Sequence, residues 1–461
     1  MGNILQHARG IRLMQTNMTK GNPFSIIIRF MLPLMLGNIF QQLYNMADTI
    51  IVGRTVGQTA LAAVGSTGTI MFLMQGFAIG LTTGFTVLTS QTFGAGDERR
   101  TRRSVANAVL LALITAATVT AIFVVFMKQI LHLMNTPSDI FEDAYSYIYT
   151  IAWGLICCVF YNLGSSLLRA VGNSKIPLFT LLFSAVLNVF LDLLLILVFH
   201  MGTRGAAVAT NISQAISAAL CFLYISRKEK LLIPHREEWY IGRTDTAFQL
   251  HVGLPMALQF AITASGTMIQ QSAINTFGST AVASFTSASK FQNIMTQSMV
   301  SMGQTMATYS GQNYGAGRID RIHQGVRTAA LFSAALSVVE GLIVWFLTPY
   351  TLGLFFNSQT NIQELLPWAT PYIGACVLCY IPLSLLFIFR NTMQGCGYGL
   401  LPMLGGAMEL AARLVASLLA IHTGIYLFAA VSDPSAWVAA GVYTGLAYLY
   451  VMKDIQSKRA D

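Results

Sequence analysis

The chain has 461 residues, 54% of them hydrophobic and only 10% charged, with a mean hydropathy of +0.61. A soluble domain carries about 25% charged residues, so this composition excludes one and requires lipid against its apolar surface. The net charge of +9 is no nucleic-acid footprint, because it follows from where Lys and Arg fall along a membrane chain.

Twelve hydrophobic segments are predicted in chain order: 24–50, 60–90, 104–127, 143–168, 177–199, 205–226, 247–276, 282–310, 326–349, 367–390, 401–421 and 434–452. Each is near or above the roughly 20 residues that cross a bilayer. The N-terminus has no small-residue cleavage site after an early apolar core, so the first segment is expected to act as an uncleaved signal. Of the 27 Lys and Arg, only Arg54, Lys128 and Arg204 fall on the predicted outer side, and Lys290 and Arg413 within segments. The rest share one side, which predicts cytoplasmic termini and a multi-pass protein of the bacterial cytoplasmic membrane.

The chain also repeats. Gln91 to Gly96 is answered by Gln312 to Gly317, and Gly57-Gln58-Thr59-Ala60 by Gly278-Ser279-Thr280-Ala281. Gly172 and Pro177 return as Gly397 and Pro402. The expected fold is all-α: twelve transmembrane helices in two six-helix lobes, residues 1–226 and 247–461, joined by a cytoplasmic linker at 227–246. With six segments each, the copies share an orientation and are related by a pseudo-two-fold axis along the membrane normal. A duplicated membrane chain of this kind is most often a transporter that rocks about a central site.

Ionisable residues inside spans are costly, and each is a functional candidate. Asp48, Asp192, Glu340, Glu409, Lys290 and Arg413 make up the predicted set. Asn188 and Asp192 stand four apart, on one helix face. Counting 1.5 Å per residue places Asp192 roughly 10 Å below the outer surface, with Asp48 and Thr210 at similar depth. Two carboxylates sharing an apolar cavity favour a proton on one of them, and carboxylate, amide and hydroxyl oxygens also suit Na⁺. The competing reading has Asp48 capping the end of the first helix while Asn188 and Asp192 hold helices together by hydrogen bonds.

In the second half, Glu409 and Arg413 occupy the repeat positions of Ser184 and Asn188, and their order suits a helix salt bridge or gate. Lys290 and Glu340 could pair, although the sequence does not bring them together. Pro33 and Pro255 correspond in the repeat; they read either as first-turn prolines or, for Pro33, as a kink connecting Asp48 to movement of its helix. Gln41, Tyr44, Met71 and Gln75, with Phe40, Met74 and Phe260, are candidates for cavity lining by flexible and aromatic side chains. The six cysteines read as buried small residues, including the Cys376–Cys379 pair inside a predicted helix. Neither a cofactor beyond the coupling ion nor a metal site, nucleic-acid partner or obligate protein partner is indicated, and no enzyme motif occurs.

Several motifs together resemble the multidrug and toxic compound extrusion (MATE) family, bacterial branch. They are Pro33, the run Asp48-Thr49-Ile50-Ile51-Val52-Gly53, Gly57 with Ala60-Leu61-Ala62-Ala63, Gln91 with Gly94-Ala95-Gly96, Arg169-Ala170-Val171-Gly172-Asn173, the Asn188–Asp192 pair, and Gly205 to Thr210. The resemblance implies two lobes around a cavity open alternately to each side, and efflux of organic, often aromatic, cations against inward H⁺ or Na⁺. It carries the coupling site to Asp48, Asn188, Asp192 and Thr210 and the kink to Pro33. One departure stands out: some members have an acid in the seventh span, and 254–276 here contains none. The alternative from the same superfamily is a flippase for lipid-linked oligosaccharide or peptidoglycan precursors, which would need several cationic groups facing a pyrophosphate.

Overall fold

A computed structural model describes residues 16–134, 136–239, 242–355 and 362–460; Arg9 and Arg12, two of the expected cytoplasmic charges, lie outside them. Every regular element among the described residues is helical, as lipid demands, since a helix satisfies its own backbone polar groups.

The first unit comprises 16–20 and Leu32–Ala257. It holds most of α1 (Pro23–Thr55), then α2 (Gln58–Ser66), α3 (Gly68–Ala95), α4 (Glu98–Leu133), α5 (Phe141–Trp153), α6 (Leu155–Ala170), α7 (Lys175–Leu193) and α8 (Gly202–Lys228). The second unit comprises Gly21–Met31 and Leu258–Asp461. It takes in the later part of α9 (Arg243–Asn275), then α10 (Ser279–Met295), α11 (Gln297–Gly315), α12 (Ile319–Phe355), α13 (Ile362–Leu378), α14 (Tyr380–Gly395), α15 (Leu400–Thr423), α16 (Tyr426–Ala430) and α17 (Ser432–Ala460). The division therefore falls inside α1 and α9, and the described part of 227–246 belongs to the first unit.

Repeated glycines do the same work in each unit. Gly96 and Gly317 adopt φ of 75° and 76°, and Gly172 and Gly397 adopt 85° and 95°, left-handed conformations that close a helix without a Cβ clash. In the first unit α3 packs on α6 and α7 on α8; in the second, α11 packs on α14 and α15 on α17. Each core is apolar, with Phe85, Leu163 and Leu167 in one and Tyr372, Cys376 and Tyr380 in the other.

Among the described residues, nine helices are long and apolar enough to cross a membrane, and two bent pairs raise this to eleven. The pairs are α5–α6, bent 46°, and α13–α14, bent 51°. The twelfth expected segment, 282–310, is helical as α10 and α11 but too polar to pass the same test, with Gln292, Ser298, Ser301 and Thr305 buried. Cys379 caps α14 at the second bend, so Cys376 and Cys379 flank a helix break instead of sharing one helix.

Pro33 and Pro255 both lie inside helices, ten and twelve positions beyond Pro23 and Arg243. The first-turn reading is therefore wrong for both. An interior proline has no N–H for the carbonyl four residues earlier and crowds it, which weakens the helix at that point.

Candidate functional site

The site is set by α7, which is apolar on its outside and polar on its inside. Its buried residues are Pro177, Thr180, Ser184, Asn188 and Asp192, and the last four recur at the four-residue spacing of one helix face. The opposite face exposes Phe179, Phe183, Val186 and Phe190, suited to lipid. A soluble amphipathic helix has this arrangement reversed. Helix α8 receives the polar face with a surface of small residues, Gly205, Ala206, Ala209, Thr210, Ser213 and Ser217, all buried. The two helices are pinned where Ser184 Oγ donates to the Ser213 carbonyl at 3.0 Å and Asn188 Nδ2 donates to Thr210 Oγ1 at 3.4 Å. Thr210 in turn donates to the Ala206 carbonyl at 3.0 Å.

Asp192 is fully buried, and neither carboxylate oxygen meets a donor among the described residues; Asn188 Oδ1 and Asp48 Oδ1 are likewise buried without one there. Asp48, half-buried on α1, brings its carboxylate within hydrogen-bonding reach of that of Asp192. Two carboxylates have no proton to share until one is added, so this approach becomes a bond only when a proton or another cation arrives. Tyr44, one turn before Asp48, stands near both acids and reaches Thr210. All four expected coupling residues thus meet in one unit. The expectation that Asp48 caps the end of α1 is not met, for α1 continues to Thr55.

Two features here escaped the sequence reading. Tyr147 is buried, donates to Met71 Sδ at 3.3 Å, and lies close enough to feel Asp48, Tyr44 and Asp192; a lone tyrosine in an apolar helix gives no signal of such a role. Immediately after Asp192, Leu194–Val198 forms a π-helical turn, with the Phe199 N–H bonded to the Leu194 carbonyl at 3.2 Å. Such turns are frequent at functional sites.

Beside the acids lies a cavity of about 40 Å³ lined by Gln41, Tyr44, Gln75, Asn162, Ser184 and Gln214, among others, with no basic side chain. That volume holds roughly two or three waters, not a drug. Gln41, Tyr44 and Gln75 line this small cavity, whereas Met71 packs behind Tyr147. Met74 is buried, and Phe40 is exposed.

In the second unit Glu409 and Arg413 pair at 3.4 Å, and the pair is half of a larger network. Arg390 also bonds Glu409, and Arg413 Nε reaches Asp433 at 2.9 Å. Tyr372 donates to Asp433 at 3.4 Å. Two arginines and two carboxylates thus balance. The sequence placed Arg390 among the cytoplasmic charges and Asp433 in a loop; Arg390 is instead 5% exposed, so it joins the buried ionisable set. Glu340 is buried beside Ser298, Lys290 is exposed, and no ion pair joins them among the described residues.

A family model described as MatE matches residues 33–194 and 255–431. The chain belongs to the MatE family. The first match includes α7 through Asp192, and the second includes Glu409 and Arg413. Among curated relatives of this MatE chain, "Probable multidrug resistance protein YpnP" of Bacillus subtilis is 28% identical over 77% of this chain and 81% of its own. The "FAD transporter" of Shewanella oneidensis is 23% identical over 80% and 81%. A solved MOP superfamily transporter from Pyrococcus furiosus, described as having a binding pocket of reversed polarity, superposes with a TM-score of 0.89 at 20% identity, over 96% of this chain and 98% of that one. That likeness shows the fold alone. The chain is thus a multi-pass membrane protein with the two-lobed MatE architecture.

Proposed function

We propose that this MatE chain is an antiporter that exports organic cations, aromatic ones among them, in exchange for H⁺ or Na⁺, by alternating access. It sits in the bacterial cytoplasmic membrane with both termini inside. The observation that carries this reading is the group of Asp48, Asn188, Asp192 and Thr210, whose carboxylates have no basic partner among the described residues. An oxygen-rich, donor-poor site suits a cation: a proton settles on one carboxylate and is shared with the other, and Na⁺ takes several oxygens at once.

Coupling then follows from competition. With Asp48 and Asp192 charged, an organic cation finds a counter-charge; when H⁺ or Na⁺ occupies the pair, that attraction is lost and the cargo leaves. The exchange needs the ion to bind the outward-open state more tightly than the inward-open one, since equal affinity moves no equilibrium. Pro33, inside the same helix as Asp48, offers a flexible point through which occupancy changes the path of α1.

A flippase would need cationic groups free to meet a pyrophosphate. Arg390 and Arg413 are both held by carboxylates, which favours cationic cargo. The test is growth of a drug-sensitive bacterial host expressing the chain on cationic dyes: raised tolerance that depends on Asp48 is expected. Unchanged tolerance from protein present in the membrane overturns the efflux reading.

A further inference from the structure

A second charged feature lies at the end of the first unit that the charge distribution assigns to the cytoplasm. Arg99, Arg100, Arg103 and Arg243, with Asp97 and Asp245, line an open cavity of about 470 Å³. Its two carboxylates are already engaged. Asp97 accepts from the Arg100 N–H at 2.9 Å as the N-cap of α4, and Asp245 meets the Arg100 guanidinium at 3.4 Å. Arg102, the neighbouring basic residue, instead grips Glu238 at 2.9 Å. Arg99 and Arg243 are exposed and join no ion pair among the described residues. Preference for basic loops on one side accounts for arginines being here; it does not account for four of them converging on one concavity.

Guanidinium groups around an open volume, with the local acids engaged, fit a phosphate, whose oxygens accept paired N–H donors. The cavity also lies at the first turns of α4 and α9, where the helix dipoles add to its positive potential.

The same helices indicate where the phosphate comes from. On α4, Arg103, Leu110 and Ile114 follow at i, i+7 and i+11, and on α9 Arg243, Leu250 and Leu254 repeat that spacing. Those offsets form one stripe along a helix. Ile114, Leu250 and Leu254 are 54%, 37% and 46% exposed. Each stripe runs from a guanidinium to an apolar surface on a helix long enough to span the bilayer. A free phosphate would use only the first part; a phospholipid uses both. We infer that this groove seats the phosphate headgroup of an anionic phospholipid, with its acyl chains along α4 and α9.

The test uses the full-length protein, purified with phosphatidylglycerol and phosphatidylcholine in equal amounts, and native mass spectrometry of the lipid retained. Phosphatidylglycerol is expected to be retained preferentially. The Arg99→Gln/Arg243→Gln double variant is expected to lose about tenfold of that preference. The charge-matched control Arg327→Gln/Lys453→Gln, both exposed and outside the groove, should keep it. No preference in the wild type, an unchanged preference in the double variant, or an equal loss in the control overturns the site. Displacement of phosphatidylglycerol by inorganic phosphate at millimolar concentration would reassign the groove to a free anion and overturn the lipid assignment. None of these readings depends on transport.

Discussion

Asp48 and Asp192, on separate helices, bring two carboxylates within reach of each other in a place where Asp192 is wholly buried and meets no donor among the described residues. Folding alone does not favour such an arrangement, because an unpaired buried charge costs more than almost any other side-chain placement. Ionisable residues placed this way inside a span are the first candidates for a functional role.

Replacing Asp192 by Asn should therefore leave the protein folded and at least as stable as wild type, while removing ion-coupled transport. Thermal unfolding in detergent and efflux from vesicles measure the two effects separately. A clear loss of thermal stability would instead assign Asp192 to holding helices together.

The network in the second unit should behave in the opposite way. Arg413→Met leaves Glu409 and Asp433 each short of a partner, and breaking a buried pair costs about 3–5 kcal/mol. Removing whole pairs, as in an Arg390→Met, Glu409→Met, Arg413→Met and Asp433→Leu combination, should recover much of that stability. Thermal denaturation of the single and combined variants decides the matter: if Arg413→Met is neutral, the four charges are not a structural unit.

Gly80 and Gly84 stand four apart on α3 and face Ala257 and Gly253 of α9, also four apart. A Cβ on Gly80 would sit 2.6 Å from the Ala257 Cα, and one on Gly84 would overlap Gly253. Small residues at that spacing let helices meet at their backbones. Gly84→Val should thus cost about 3 kcal/mol or more and lower the yield of folded protein, whereas Gly65→Val, at a glycine with open space, should not.

Glu238 provides a pH test outside the membrane. Burial alone would raise the affinity of its carboxyl for a proton, but the His235 N–H at 2.8 Å and the Arg102 guanidinium hold it below the usual carboxylate range. A lowered folded-state value gives stability that is complete above the unfolded value, near 4.5, and is lost as pH falls through the folded one. Glu238→Gln should therefore be less stable than wild type at pH 7, by on the order of 1.5 kcal/mol, and the gap should close in strong acid. A gap that is constant with pH would contradict the ion pair.

Much of the candidate site was legible because α7 states it locally: polar residues four apart in an apolar segment fix a face without reference to any partner. The repeat was legible for a similar reason, since Gly96 and Gly317 are needed for a backbone conformation, not for a contact. The remainder depends on tertiary approach. Arg390 looked like a loop-side charge because the carboxylate that draws it inward stands on another helix. The bends at Gly154 and Cys379 interrupt apolar runs that hydropathy reads as continuous. Tyr147 and the Gly80–Gly84 pair carry meaning only through Met71 and α9, which no local pattern points to.

The most direct measurement is efflux of a fluorescent organic cation from proteoliposomes under separately imposed H⁺ and Na⁺ gradients, with wild type and Asp48→Asn side by side. The account predicts that one of the two gradients drives export by the wild type, and that the variant, equally folded, exports nothing against a concentration difference. Full coupled export by Asp48→Asn would contradict it.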